Sequence, residues 1–212
     1  MQNTYHLAIN QNLVSDTQWL IISGDPGRTD KIASHLDSPE MIGDNREYRT
    51  WIGTLPNTKV AVISYRIGGP GLSIMLDGAF KSMPVLKGVI RVGTCGGLSK
   101  EALAGKVAIS EGAVRLDGAS PQIIPDPEYP AVPDTRMTYG LIQTAEKLEI
   151  PYVSGITVST ATFYTGQGRK DGFCGYQPGE VRYRDAVDYW SRVGCGKHGD
   201  GMLTAFYNGE TV

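Results

Sequence analysis

The sequence predicts an α/β protein, and two observations carry that prediction. Short apolar runs rich in Val and Ile alternate along the chain with segments whose apolar residues recur at helical spacing. Several of these runs lead directly into glycine-rich turns, which is typical of strands that end at the ligand-binding edge of an open α/β sheet. The 212 residues, 41% of them hydrophobic, suffice for one large domain or two small ones. Because no linker interrupts the pattern, we expect a single domain over residues 1–212.

The stretch at 88–99, GVIRVGTCGGLS, is the centre of the prediction. Its Val and Ile residues predict a short strand buried on both faces, with Arg91 in the middle. Burying a guanidinium without a neighbouring anion would lower the stability of the fold by roughly several kcal/mol. Glycines after a strand let backbone N–H groups approach a ligand closely. We therefore expect Arg91, Thr94 and the glycines to form one wall of an anion site; the alternative is an arginine paired with a structural carboxylate beside a glycine turn.

The first strand–helix unit of the chain carries a similar pattern. Residues 19–23, WLIIS, predict a buried strand that runs into GDPGR at 24–28. Thr29 or Asp30 can then cap a helix over 31–36. A strand, a glycine turn, an arginine and a helix start form a second anion-binding pattern, although Gly-Asp-Pro-Gly is also ordinary turn chemistry.

A hairpin and a helix are predicted next. Alternating residues at 45–53 predict a strand that leads to a turn at 55–57, and KVAVISY at 59–65 predicts a buried strand paired with it. IGGPG at 67–71 is a third glycine-rich strand end, and 72–83 has the spacing of a helix.

The second half of the chain continues the alternation. Strands are predicted at 105–110 and 153–159, and 112–119 is predicted to continue as a strand and then a turn. Helices are predicted at 135–148, at 185–192 and beginning at 202. Five prolines make 121–133 an irregular loop. Four glycines at 194–201 exclude a stable helix or strand there.

One loop of this half, FYTGQGR at 163–169, carries an aromatic ring, an amide and a guanidinium. The ring suits stacking on a flat heterocycle, and the amide and guanidinium suit paired hydrogen bonds to its carbonyl groups. The alternative is a surface loop with solvated polar side chains.

Charge and composition exclude several classes of protein. A net charge of −2 gives no indication of nucleic-acid binding, and no run of eighteen apolar residues predicts a membrane span. The N-terminus lacks the basic and apolar regions of a secretory signal. Cys95, Cys174 and Cys195 show no metal-ligand spacing, and three is an odd number for a disulfide framework. The default is a reduced, cytoplasmic protein.

Six motifs together resemble a known family. They are GDPGR (24–28), NREYRTW (45–51), IGGP (67–70), RVGTCGG (91–97), VRLDGAS (114–120) and FYTGQGR (163–169). In their order and approximate spacing they resemble the uridine phosphorylases of the hexameric nucleoside phosphorylase superfamily, over about residues 5–193. The resemblance implies a three-layer αβα sandwich with a central mixed, partly barrel-like β-sheet. The last motif favours uracil over a purine.

The resemblance also implies a reaction. Members of the family cleave a nucleoside with inorganic phosphate, giving a free base and ribose 1-phosphate, in pyrimidine salvage and nucleoside catabolism. They use no organic cofactor and form no covalent intermediate; phosphate is a co-substrate. The resemblance further implies a homodimer, or a hexamer built as a trimer of dimers.

Two sets of site residues follow from the resemblance. The phosphate-binding set is Gly24, Arg28, Arg46, Arg91 and Thr94, with Arg46 lent by a neighbouring subunit. The nucleoside-binding set is His6, Thr94, Phe163, Gln167 and Arg169, with His6 closing the ribose site from the neighbour. Arg91 would hold the phosphate, and Gln167 and Arg169 would stabilise the charge that develops on the leaving uracil. Read without the family, His6 is a partly exposed surface histidine.

The sequence departs from the family near its end. The family carries a segment like Asn/Tyr-Met-Glu-Met-Glu, whose methionine and second glutamate grip the ribose. Residues 196–201 read GKHGDG instead, and Asp200 is out of register. The resemblance resumes at 202–204. The family continues through a further strand and a C-terminal helix, so we expect that part of the fold to be missing here.

A frame change is one hypothesis for this mismatch. Lys197–Met202 can be encoded by the codons AAA CAT GGA GAT GGA ATG, and this series read one base later would encode Asn-Met-Glu-Met-Glu. Residues 197–202 would then be an out-of-frame reading. Codons that do not give this motif in the shifted frame would remove the idea.

A second departure concerns an ion. Some members hold a potassium ion between subunits through the positions of Glu47, Ile67 and Gly71, and Gly71 replaces a serine here, which weakens the case for that ion. Arg66 stands where the family usually has glycine. Two alternatives to a uridine phosphorylase stay open: a purine nucleoside phosphorylase, and a non-catalytic paralogue that binds nucleoside, phosphate or partner subunits without turnover.

Overall fold

The computed structural model describes residues 4–172 and 175–194 and the backbone of 205–207. By their internal contacts the described residues group into two compact units, the first within 4–94 and the second within 95–207. The single domain over 1–212 stays a prediction. The predictions for residues 195–204, including the frame change and the displaced Asp200, lie outside the described residues, as does the rest of the C-terminal layer beyond 207.

A five-stranded mixed sheet is the centre of the first unit. Its strands are β1 (Trp19–Ser23), β2 (Asp37–Asn45), β3 (Tyr48–Leu55), β4 (Thr58–Ser64) and β5 (Gly88–Arg91), in the order β2-β3-β4-β1-β5. Strand β1 runs parallel to β4 and β5, and β3 runs antiparallel to β2 and β4. The predicted strands at 19–23 and 59–65 and the β3–β4 hairpin are confirmed.

Helices cover both faces of this sheet. They are the single turn α1 (Gln11–Val14), α2 (Pro26–Ala33) and α3 (Gly69–Ser82). Because side chains alternate along a strand, Leu20 of β1 packs in a cluster with Met75 of α3, and Ile21 packs on the opposite face with Ala33 of α2. The resulting helix–sheet–helix layering confirms the α/β fold class.

Two local predictions for this unit are wrong. Helix α2 begins at Pro26 rather than at 31, since the Asp25 carboxylate caps it by accepting from the N–H of Gly27 at 2.8 Å. The strand predicted at 45–53 begins only at Tyr48, because a turn with Arg46 at φ +56° separates it from β2. The edge strand β2 escaped prediction, since its sequence, DSPEMIGDN, has no apolar alternation and its first five residues are exposed.

The β5 strand is confirmed with one correction. Arg91 ends the strand rather than lying in its middle, and all four residues are half-buried rather than buried on both faces.

The second unit is built on a four-stranded sheet. Its strands are β6 (Gly96–Gly97), β7 (Val107–Leu116), β8 (Tyr152–Thr160) and β9 (Ala205–Tyr207), in the order β6-β9-β8-β7. The strands predicted at 105–110 and within 112–119 form one strand, β7, parallel to β8 with a register shift between Ser110 and Gly112. Neither sheet closes into a barrel among the strands that the structure describes.

The helices of this unit are α4 (Ser120–Ile123), α5 (Thr135–Lys147), α6 (Val181–Arg184) and α7 (Ala186–Gly194), with a 3₁₀ turn at Thr165–Gln167. The predicted helix at 135–148 is confirmed. The helix predicted from 202 is wrong over 205–207, because that backbone pairs as a strand between β6 and β8. Trp190 of α7 packs on Leu98 and Val158 to form the core. Among the described residues, no helix is long and apolar enough to cross a membrane.

Candidate active site

The carboxyl ends of three parallel strands lie side by side in the first unit. Ser23 at the end of β1 pairs with Ser64 at the end of β4, and Arg91 at the end of β5 pairs with Ile22. Gly24, which follows Ser23, is buried. Ligands in parallel α/β sheets bind beyond this edge. The structure therefore brings Gly24 and Arg91 to one sheet edge.

Arg28 joins this edge from the first turn of α2. Its Nη1 donates to Ser23 Oγ at 3.3 Å, and the N–H of Asp25 donates to the same hydroxyl oxygen at 3.3 Å. Pro26 and the Asp25 cap fix the start of the helix, so the position of Arg28 depends on that turn. A helix N-terminus adds a partial positive charge, which favours an anion.

Tyr65, directly after β4, lies at this same sheet edge and was missed by the sequence reasoning. Its hydroxyl accepts a hydrogen bond from Arg91 Nε, and the guanidinium carbon lies 5.7 Å from the ring centroid. The side chain is only 2% exposed. Burial raises the pKa of Tyr65, while the charges of Arg91 and Arg28 act to lower it. A buried aromatic residue with a polar tip just before IGGP was the available signal.

Two residues were expected to be lent to a neighbouring subunit, His6 and Arg46. Both lie near the turn between β2 and β3 of the first unit. The main-chain carbonyl of His6 accepts from Asn45 Nδ2 at 2.6 Å, next to Arg46 in the chain. The ring of half-buried His6 stands edge-on to Tyr48 with centroids 6.5 Å apart. Arg46 is exposed, on the turn between β2 and β3. Their place on one patch fits a shared role toward a neighbour, which stays a prediction.

Thr94 follows β5 on the exposed surface of the first unit. It is exposed, three residues beyond the end of β5. Its predicted contacts with phosphate and ribose stay predictions.

The second unit gathers Phe163, Gln167 and Arg169 into one cluster. Arg169 donates from Nε and Nη2 to Gln167 Oε1 at 3.3 and 3.2 Å. Its guanidinium carbon stacks 4.0 Å from the ring centroid of Phe163. Gln167 is 2% exposed, and its Nε2 finds no hydrogen-bond partner among the residues described. Since buried amides are normally satisfied, this group points to a ligand acceptor. A solvated surface loop would not bury the amide.

Two glycines allow the loop to adopt this shape. Gly166 donates its N–H to Thr162 Oγ1 at 2.7 Å, and a Cβ at that glycine would come within 2.6 Å of the same oxygen. Gly168 has φ +67°, and a Cβ there would lie 2.7 Å from the carbonyl oxygens of Tyr183 and Arg184. The close approach to α6 depends on both features of Gly168.

The VRLDGAS motif has a structural explanation. Arg115 of β7 donates to the main-chain carbonyls of Ser120, Ile124, Asp126 and Tyr129. One guanidinium thus anchors the proline-rich loop that follows.

Residues that could bind a metal ion are not clustered in the described part of the structure. No three His, Cys, Asp or Glu residues within the described part of the chain lie close enough to hold one. At Gly71, the position of the serine in potassium-binding members, a Cβ would come 2.6 Å from the carbonyl oxygen of Tyr65. The residues present do not fit that potassium site, so the ion takes no part in the function proposed below.

Comparisons with known proteins identify the family. The family model described as "Phosphorylase superfamily" matches residues 18–195. Uridine phosphorylase of Haemophilus influenzae is 38% identical over 176 residues, which cover 82% of this chain and 68% of that protein. Uridine phosphorylase of Klebsiella aerogenes is 33% identical over 192 residues, or 91% of this chain and 74% of the relative. Uridine phosphorylase of Thermococcus kodakarensis is 39% identical over 180 residues, or 84% and 62%.

Proposed function

Because this chain belongs to the phosphorylase superfamily, we propose that it is a pentosyltransferase that catalyses the reversible phosphorolysis of uridine. In this reaction an oxygen of inorganic phosphate bonds to C1′ of the ribose while the bond from C1′ to N1 of uracil breaks. The electron pair of the broken bond goes to uracil, which takes up a proton. The products are uracil and ribose 1-phosphate.

The observation that carries the proposal is the cluster of Phe163, Gln167 and Arg169. Uracil is a flat ring with two carbonyl oxygens and a ring N–H. The Phe163 ring offers an apolar face, and the buried Gln167 amide and the Arg169 guanidinium offer donors fixed before the ligand arrives. Such donors stabilise the negative charge that develops on the leaving base, and removal of one typically costs about 10²–10³ in rate.

The anion-binding edge of the first unit supplies the other half of the chemistry. Arg28 and Arg91 both lie close enough to Tyr65 for their charges to act on it. Guanidinium groups bind phosphate through paired, charge-assisted hydrogen bonds. Holding the nucleophile in place removes part of the entropic cost of a two-substrate reaction.

The remaining features of the proposal follow from the resemblance. Phosphate is the co-substrate, and no organic cofactor takes part. His6 and Arg46 complete the site of a neighbouring subunit, so a homodimer is the smallest competent assembly and a trimer of dimers is the larger one. We place the reaction in the cytoplasm, in pyrimidine salvage.

A second candidate is a paralogue that binds nucleoside and phosphate without turnover. The sequence observation that favours it is GKHGDG at 196–201, which lacks the ribose-binding glutamate of the family. A purine nucleoside phosphorylase is the weaker alternative, since FYTGQGR suits a pyrimidine.

The test is uridine phosphorolysis by the purified full chain, followed by the fall in absorbance as uracil leaves. We expect turnover that requires phosphate and that is faster with uridine than with inosine. Gln167→Leu should lower kcat/KM by about 10²–10³. Gln143→Leu is the matched control and should leave kcat/KM unchanged, because Gln143 is an exposed amide of α5 whose Nε2 donates to the Tyr139 hydroxyl at 3.0 Å.

The negative outcomes separate the alternatives. No turnover, with a thermal shift on adding uridine or phosphate, would support the binding paralogue. Faster turnover of inosine would support the purine enzyme. Neither turnover nor binding by a folded chain would refute the proposal.

A further inference from the structure

Tyr65 lies where the ends of three strands and two arginines meet. Its N–H donates to the carbonyl oxygen of Ser23 at 3.0 Å, which fixes its backbone beside the end of β1. Its side chain is buried, and its hydroxyl contacts Arg91. The predicted set of phosphate-binding residues does not include Tyr65, although its hydroxyl contacts Arg91 of that set.

We propose that Tyr65 belongs to the phosphate site, where its hydroxyl orients the Arg91 guanidinium and donates its own proton to a phosphate oxygen. This inference deepens the proposed function and rests on it. It makes Tyr65 a binding residue in its own right and a positioning residue for Arg91.

The hydrogen-bonding capacity of the phenol leads to this assignment. A tyrosine hydroxyl has one proton to donate and two lone pairs to accept with. One lone pair takes the N–H of Arg91, which directs the guanidinium, and within the described residues no acceptor for the proton is found. With Arg28 and Arg91 nearby, the acceptor that this position favours is an anion.

The charge state of the phenol is compatible with this role. Burial raises the pKa of Tyr65 above its ordinary value, and the lowering by the two arginine charges does not reverse that direction. The hydroxyl therefore keeps its proton near neutral pH and stays a donor. An ionised phenolate would instead repel phosphate.

A purely structural role is the competing explanation. The ring of Tyr65 fills space in the core of the first unit, packed with residues such as Met75 and Ile63. Loss of the ring would weaken the binding of both substrates and lower the stability of the unit. Loss of the hydroxyl alone tests the proposed contact with phosphate.

The experiment compares Tyr65→Phe with the wild-type chain in uridine phosphorolysis at varied phosphate. We expect KM for phosphate to rise about tenfold to a hundredfold, the loss typical of a hydrogen bond to a charged group. KM for uridine and the melting temperature should stay near the wild-type values. Sulfate, as a competitive oxyanion, should lose inhibitory strength in parallel.

A matched control removes a phenol hydroxyl elsewhere. Tyr152→Phe deletes a hydroxyl that donates to Glu146 Oε1 at 2.9 Å in the second unit, and it should leave KM for phosphate unchanged. An unchanged KM for phosphate in Tyr65→Phe, or equal losses for uridine and phosphate, would overturn the proposal.

A direct measurement of phosphate binding separates the test of this inference from the test of the proposed reaction. Calorimetric titration of wild type and Tyr65→Phe with inorganic phosphate needs no turnover. Weaker phosphate binding by the variant supports the inference even where the wild-type chain turns over no uridine, which would sink only the catalytic proposal. Equal phosphate binding by both chains sinks the inference.

Discussion

Gly168 lies where the 163–169 loop, the proposed uracil site, contacts helix α6. It lies between Gln167 and Arg169 and has φ +67°. A Cβ there would lie 2.7 Å from the carbonyl oxygens of Tyr183 and Arg184, about 0.7 Å short of the 3.4 Å at which ordinary contact begins. Gly168→Ala must therefore move the loop away from α6 or strain both.

The expected cost has two parts. An alanine in the left-handed region costs roughly 1–2 kcal/mol, and forcing a methyl group into a packed site typically costs about 1–3 kcal/mol. We expect Gly168→Ala to lower the free energy of unfolding by about 2–5 kcal/mol. A displacement of the loop by about 1 Å should lower kcat/KM for uridine by about 10²-fold.

Two other glycines separate these parts. Gly175 has φ +60°, and no atom of the described residues lies within 4 Å of its Cβ position, so Gly175→Ala should cost only the backbone term of roughly 1–2 kcal/mol. Gly179 has no positive φ and, among the residues that the structure describes, open space at its Cβ position, so Gly179→Ala should be close to neutral. Neither Gly175→Ala nor Gly179→Ala should lower kcat/KM for uridine by the factor of about 10² expected of Gly168→Ala.

Urea unfolding followed by tryptophan fluorescence measures the stability; Trp190 in α7 reports on the same unit, and Trp19 and Trp51 report on the first unit. Phosphate-dependent loss of uridine measures kcat/KM. If Gly168→Ala matched Gly175→Ala in both quantities, the close approach to α6 would carry no energetic weight, and the reasoning from the Cβ distance would be refuted.

Three further substitutions test the first unit by urea unfolding. Asp25→Ala removes the cap of α2 and should cost about 0.5–2 kcal/mol and raise KM for phosphate, because Arg28 lies in that turn; Asp25→Asn should recover most of both, and no change would contradict the cap. Thr50→Val replaces a buried hydroxyl that lacks a partner in the described structure, so stability should hold or rise by up to about 1 kcal/mol; a clear loss would indicate an unseen partner. Arg66→Gly relieves φ +54° and should add roughly 1 kcal/mol, whereas a loss would mean that the arginine side chain makes a stabilising contact.

Local patterns predicted several elements well. The strand at 19–23 and the helix at 135–148 were predictable because contiguous apolar spacing reports which face of an element is buried. The residues of the 163–169 loop could be grouped as a site because they are close in the chain.

Elements that depend on distant partners were harder to predict. The edge strand β2 has no apolar alternation, and its hydrogen bonds come from pairing with β3. The strand at 205–207 forms between β6 and β8, which lie far away in sequence. The start of α2 was missed for a local reason instead. Asp25 caps the helix, but Thr29 and Asp30 are equally suitable capping residues in the same stretch.

The sequence by itself determined the α/β class, the family and the chemical types of the site residues, because these are encoded in short contiguous motifs. Only the tertiary structure decided that Arg91 donates to Tyr65, 26 residues away in the chain, and that Gln167 is buried with its amide N–H₂ unsatisfied among the described residues. The physical reason is that parallel strands bring their carboxyl ends together through pairing over long sequence separations. A residue's burial and its hydrogen-bond partners are then set by neighbours that no local pattern contains.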